Sequence, residues 1–136
     1  WLKAISERAW QQGRVLTDGE FRIAQSVGVA HPDEIHLLIT SDFPYPQENQ
    51  LRQAAESLGM LGSDTAGLTL GYSVWIKPSD LSARVLCHEF RHVAQLERFG
   101  SFEAFISEYL NQVLTHGYWN APLEVDARTH EFVSGK

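Results

Sequence analysis

His88, Glu89 and His92 fall in the order His-Glu-Phe-Arg-His, at the centre of the run RVLCHEFRHVAQLERF from Arg84 to Phe99. On a helix of 3.6 residues per turn the two imidazoles stand one turn apart on one face, with Glu89 about a quarter turn from them. Imidazoles at i and i+4 can take adjacent corners of a Zn²⁺ tetrahedron, and a glutamate beside them can reach a metal-bound water as general base. The same letters also arise by accident on a structural helix that binds no metal. Three conditions separate the two readings: a helical context, a strand in front, and a third ligand downstream.

The flanking elements meet the first two conditions. Gly67 to Lys77 (GLTLGYSVWIK) is rich in β-branched and aromatic residues and ends at Pro78, with Gly71 marking either a turn between two strands or a bulge in one. Ser79 or Asp80 is the expected cap of the helix that follows, and Leu81, Val85, Leu86, Val93, Leu96 and Phe99 carry its apolar spacing as far as Gly100. Ser101 then caps a helix with the stripe Phe102, Phe105, Ile106, Tyr109, Leu110, Val113 and Leu114, stopped at His116-Gly117. Asn120 is the expected cap of a last helix from Ala121 to about Phe132, with Pro122 in its first turn.

Upstream, Leu2, Ile5, Ala9 and Trp10 predict a packing helix stopped by Gly13, and Thr17 or Asp18 a second one ending at Gly28. His31-Pro32-Asp33 is a turn, and Ile35 to Thr40 a short strand in which His36, lacking a metal-spaced neighbour, is a strand residue. Ser41 to Glu48 reads as loop, Asn49 to Leu58 as an amphipathic helix closed by Gly59, and Gly62 to Ala66 as a turn.

At 136 residues and 43% hydrophobic content the chain predicts one domain over 1–136 with an ordinary core. The N-terminus at Trp1, not Met, leaves room for residues upstream. A net charge of −6 without a basic stripe argues against nucleic acid and anionic membrane surfaces as partners. No stretch approaches the roughly 18 apolar residues of a membrane span, so the chain reads as soluble. Cys87, the only cysteine, excludes a disulfide framework and a Cys-based zinc finger, and it favours a reducing compartment such as the cytoplasm. Although it adjoins His88, it points about 100° away and reads as a small buried apolar side chain.

A catalytic zinc keeps three protein ligands, and His116, Glu124, Asp126 and His130 are the downstream candidates. Glu124 shares a helical face with Ala127, Arg128 and Glu131, where the small alanine permits close approach of another helix. Asp126 lies about 200° round and suits a surface or supporting role, His116 suits a helix C-terminus, and His130 a solvated or structural position.

HEFRHVAQ, the aromatic and Leu-rich helix ending in HGY, and APLEVDAR together resemble the compact gluzincin-type metallopeptidases, or minigluzincins, over about Ala66 to Arg128. The resemblance implies an α+β, zincin-like fold: a small, mostly antiparallel or mixed sheet packed on a helix bundle that contains the H-E-x-x-H helix. It also implies one Zn²⁺ per chain, held by His88, His92 and Glu124, with a peptide or protein substrate lying along the strand Gly71 to Trp75. The chain departs from the larger thermolysin-like enzymes in the 31 residues between His92 and Glu124 and in lacking their Asn-Glu-x-x-x-Asp pattern, which leaves Asp126 as the rival carboxylate.

The expected activity is zinc-dependent peptide hydrolysis with Glu89 as general base. Tyr109, His116, Tyr118 and Arg128 are the candidate donors to the oxyanion, and Tyr118 is preferred because Tyr109 falls on the core stripe. The alternative is a catalytically silent zinc-binding module acting in protein interaction or regulation.

Overall fold

The protein is described from a computed structural model that places residues 2–43 and 66–131, with side chains from residue 7 onward. The predicted helix Asn49 to Leu58, most of the loop before it and of the turn after it, and Phe132 lie outside the described residues.

Among the described residues the chain is mixed α+β. Helices α1 (Leu2–Gln12) and α2 (Asp18–Ser26) precede strand β1 (His36–Ile39). A hairpin follows, β2 (Gly67–Leu70) and β3 (Ser73–Ile76), and then helices α3 (Ala83–Phe99), α4 (Phe102–His116) and α5 (Pro122–Thr129). Thr17 caps α2 through a reciprocal box with Glu20, and Gly100 ends α3 in the left-handed region at φ +83°, as the sequence predicts.

Gly71 resolves as a turn rather than a bulge. At φ +66° it is the first central residue of a two-residue hairpin loop, the position where a type II′ turn takes glycine. The sheet order is β1-β3-β2, with β3 parallel to β1 and antiparallel to β2. This corrects the expectation that Gly71 to Trp75 carries a substrate: the hairpin folds β2 back along β3, so both edges of β3 are occupied. Among the described residues no strand pairs with the outer edge of β2, whereas Leu37 of β1 exchanges two backbone bonds with Arg14.

Strand alternation divides the side chains between two layers. Leu37, Val74 and Ile76 turn to one face and form the main core with Ala24 and Val27 of α2 and Val85, Leu86, Cys87, Phe90, Val93 and Ala94 of α3. Leu38 and Trp75 turn to the other and pack with Ala9 of α1 and Phe43, flanked by Leu68 and Leu70. A third cluster, Leu96, Phe105, Tyr109, Val113 and Ala121, joins α3 to α4 and to the start of α5. Helix α3 is thus enclosed on nearly every side, and from Val85 to Leu96 only His88 is not fully buried. Cys87 is buried in the main core, as expected.

Several local expectations shift. Pro78–Asp80 forms a 3-10 turn, and Ser82, not Ser79 or Asp80, caps α3 by accepting from the Val85 amide at 3.2 Å. Helix α5 starts with Ala121 at its cap position and no side-chain cap, its first turn being set by Pro122. Trp10, expected to pack, is exposed and its ring lies 4.3 Å from that of His36, while Leu114 also faces outward. No helix among the described residues is long and apolar enough to cross a membrane.

The cap assignment predicts that Ser82→Ala lowers unfolding free energy by about 1 kcal/mol. Ser79→Ala, at an exposed site, should change it by less than about 0.5 kcal/mol, and urea denaturation separates the two.

Candidate metal centre

The face of α3 that carries His88 and His92 turns away from the sheet and meets α5, where Ala127 is fully buried and lets the two helices approach closely. Glu124, in the first turn of α5, enters the gap with 2% of its surface exposed. Its Oε1 lies 3.0 Å from His88 Nε2 and its Oε2 3.2 Å from His92 Nε2. Donor atoms of His88, His92 and Glu124 all lie within 4.8 Å of one another, so the three could hold a metal ion. Among the described residues no other group of three or more His, Cys, Asp or Glu does so.

Each donor has a second partner that fixes its orientation. His88 Nδ1 lies 2.8 Å from Glu131 Oε2, whose other oxygen accepts from Arg84 at 3.0 Å. His92 Nδ1 lies 2.8 Å from Gln95 Oε1, and the Gln95 amide nitrogen donates to Asp126 and to the Leu123 carbonyl. With acceptors at both Nδ1 atoms, each Nε2 faces the shared centre, the arrangement by which outer partners set the tautomer of a metal-binding histidine. Tyr109 of α4 donates its hydroxyl to Glu124 Oε2 at 2.5 Å. Two imidazole nitrogens and a carboxylate, oriented from behind and bordering a cleft, fit a divalent cation that retains an open coordination position.

In the metal-free protein the cluster holds its own charges. Burial works against a charged His92 ring, but the Glu124 carboxylate outweighs it and moves the ring up to about 9. For His88 the same opposition of burial and Glu124 also ends in an upward shift. Burial alone would raise Glu124, yet His92, His88 and Tyr109 reverse this and hold its carboxyl well below the usual range. Tyr109, buried and facing that carboxylate, is pushed far above the ordinary phenol value and keeps its proton. Both upward shifts favour the protonated rings, so a cation competes with protons for their nitrogens.

The other candidate ligands are placed elsewhere. Asp126 also reaches α3 but meets neither histidine: it pairs with Arg91 at 2.8 Å and accepts from Gln95, the residue that holds His92 Nδ1. His130 Nδ1 contacts the Asp126 carbonyl, and His116 is exposed at the end of α4. Glu89, His92, Tyr118 and Glu124 line one cleft with Gly67 to Leu70 of β2 and Phe105, Ile106 and Tyr109 of α4.

Three contributors were not assigned to the site from sequence, and a fourth, Tyr109, was named only as a possible oxyanion donor and not as a partner of Glu124. Gln95 and Glu131 had signals in their spacing, three residues after His92 and seven after Glu124, both same-face intervals on a helix. The hydroxyl of Tyr109 had none, because its ring occupies the apolar stripe. Thr69 of β2, which donates to Glu89 Oε1 at 2.8 Å, required the strand register. Compared with family profiles, curated proteins and solved structures, the chain matches none.

Raised histidine values make the metal-free cluster stabilising below the unfolded histidine value of 6.5, with that stability lost as pH climbs through about 9. The lowered Glu124 value adds the acid side, where stability is lost as pH falls below the unfolded 4.5. With chelator, the thermal midpoint should therefore decline between pH 6.5 and 9; with excess zinc it should rise, because protons no longer compete for the rings. Calorimetry across that window checks both trends. Glu131→Gln should weaken zinc about 10- to 100-fold in a competition titration while leaving one ion per chain.

Proposed function

We propose that the chain is a zinc-dependent, metallopeptidase-type hydrolase. The observation carrying this reading is the placement of Glu89 in one cleft with His92 and Glu124, beside a strand edge that no described strand covers. His88, His92 and Glu124 would hold the ion, which when bound polarises a carbonyl and brings a water's pKa to about 7.

Glu89 is 7% exposed and faces the cleft, where it takes a proton from the attacking water and delivers it to the leaving nitrogen. Burial first, then the charges of Glu124 and Glu89, push the Tyr118 phenol above its usual value, so it stays protonated at working pH. It donates to the carbonyl oxygen as negative charge develops there. The amides and carbonyls along the outer edge of β2 accept an extended peptide as an added strand, which replaces the assignment of that role to Gly71 to Trp75. Phe105 and Ile106 form an apolar wall for a substrate side chain. A silent zinc module calls for a closed site, and the lining of the cleft by Glu89, His92, Tyr118 and Glu124 supports the hydrolase reading.

Glu89→Gln should keep one zinc per chain by elemental analysis and lose more than about 100-fold in peptide turnover. Retained turnover would remove Glu89 from the mechanism. Tyr118→Phe should lower kcat about 10-fold or more while KM stays near its original value, as expected for a donor that acts on developing charge.

A further inference from the structure

The alternation of β2 places Gly67 and Thr69 on the face toward α3, while Leu68 and Leu70 turn to the opposite core. Register aligns Gly67 with Ile76 and Thr69 with Val74, so both stand in the sheet layer that covers the metal helix. Directly below them is Glu89. The Thr69 hydroxyl lies 2.8 Å from Glu89 Oε1 and 3.1 Å from the Glu89 carbonyl oxygen. A Cβ on Gly67 would fall 2.8 Å from Glu89 Cγ and 3.0 Å from both Cδ and Oε2.

We infer that Gly67 and Thr69 are positioning residues for the Glu89 carboxylate: the threonine hydroxyl anchors one oxygen, and the missing glycine side chain provides the space occupied by the other. The inference rests on Glu89 acting as the base of the proposed hydrolase. A glutamate has three freely turning side-chain bonds, so a carboxylate that must meet a water within hydrogen-bond reach needs an outside constraint. The helix cannot provide it, because the interior backbone groups of α3 are used by its own ladder. The neighbouring strand supplies a hydroxyl and a gap at two positions of the same parity. The same strand whose edge receives substrate thus holds the base from its inner face, so the position of the peptide and that of the proton acceptor are set by one rigid element.

Gly67→Ala tests the gap without demanding unfolding. The atoms it meets, Cγ first and then Cδ and Oε2, all belong to the Glu89 side chain and not to backbone. Turning that side chain about its first torsion relieves the contact, and the strand has no need of a glycine dihedral there. Thr69→Val removes the hydroxyl at equal volume, and Thr69→Ser restores it.

The experiment compares these three variants with the original chain and Glu89→Gln, all zinc-loaded. It measures zinc content, kcat and KM on a peptide substrate, and the affinity of acetohydroxamate, a small chelator whose zinc-bound form hydrogen-bonds to an adjacent carboxylate. Thr69→Val and Gly67→Ala should keep one zinc per chain and KM within about twofold, lose about 10- to 100-fold in kcat, and weaken acetohydroxamate as Glu89→Gln does. Thr69→Ser should recover kcat to within about threefold.

Unchanged kcat and hydroxamate affinity in Thr69→Val would overturn the inference while leaving the hydrolase reading intact. An original chain that cleaves no peptide, with the hydroxamate pattern preserved, would overturn the hydrolase reading and support the positioning of Glu89. A chain that takes up no zinc would overturn both.

Discussion

A carboxylate with 2% of its surface in contact with solvent governs the arrangement of the C-terminal half of the chain. Removing such a charge from water costs several kcal/mol unless every lone pair finds a donor or a cation. Glu124 meets this demand with two imidazoles from one helix and a phenol from another. Those three contacts require α3, α4 and α5 to converge at one point, and the apolar cluster of Leu96, Phe105, Tyr109, Val113 and Ala121 packs around that convergence. The demand also spreads outward, since a protonated imidazole needs an acceptor at its far nitrogen. Glu131 serves His88, and Gln95 serves His92, with Asp126 and the buried guanidinium of Arg91 behind it. Arg91 also donates to the Val27 carbonyl at 2.8 Å, so the polar network runs through the metal helix from the end of α2 to α5.

The sheet is organised by a different necessity. β3 is fully buried and needs partners on both edges, which β1 and β2 provide. Its faces are occupied as well, by α3 on one side and the α1 layer on the other. Such a central strand has no free edge, and among the described residues only the outer edge of β2 is left without a strand partner. Glu97 reinforces the arrangement from the far end of α3: its carboxylate accepts from the Ala30 and His31 amides and from the Tyr72 hydroxyl, joining the approach to β1 to the hairpin turn. Burial, together with the neighbouring carboxylates, pushes the Tyr72 phenol well above its usual value, so this tie keeps its proton.

What was legible in the sequence was what depends on neighbours along the chain. Gly100, Gly117 and the cap at Thr17 mark helix ends because their effects act within one turn, and the i, i+4 histidines declare a common face for the same reason. Helical angle favoured Glu124 over Asp126, and in the structure Glu124 meets the two histidines while Asp126 meets Arg91 and Gln95 of the same helix. The misjudged features depend on contacts across the fold. Ser79 and Asp80 are sound caps by composition, but Pro78 begins a 3-10 turn that postpones the helix to Ser82. Tyr109 was named as a possible oxyanion donor but set behind Tyr118 for its place on the core stripe; it is buried there, and its hydroxyl reaches Glu124, a contact on which no periodicity reports. The substrate role expected for Gly71 to Trp75 does not fit a strand paired on both edges, because strand order is set by pairing in space rather than by sequence.

Cys87 stands one residue before His88, yet its thiol is wholly enclosed among the side chains of the main core. The helical step of about 100° that brings His88 to the cluster turns the chain's one cysteine into the main core instead. The donor set consequently contains nitrogen and oxygen alone, a borderline-to-hard combination with little preference for monovalent copper or other thiophilic ions. Oxidants that would convert an exposed thiolate near a metal into a sulfenic acid find no such group here. Chemical durability of the centre under oxidising conditions is thus a by-product of where one small side chain falls on a helical wheel.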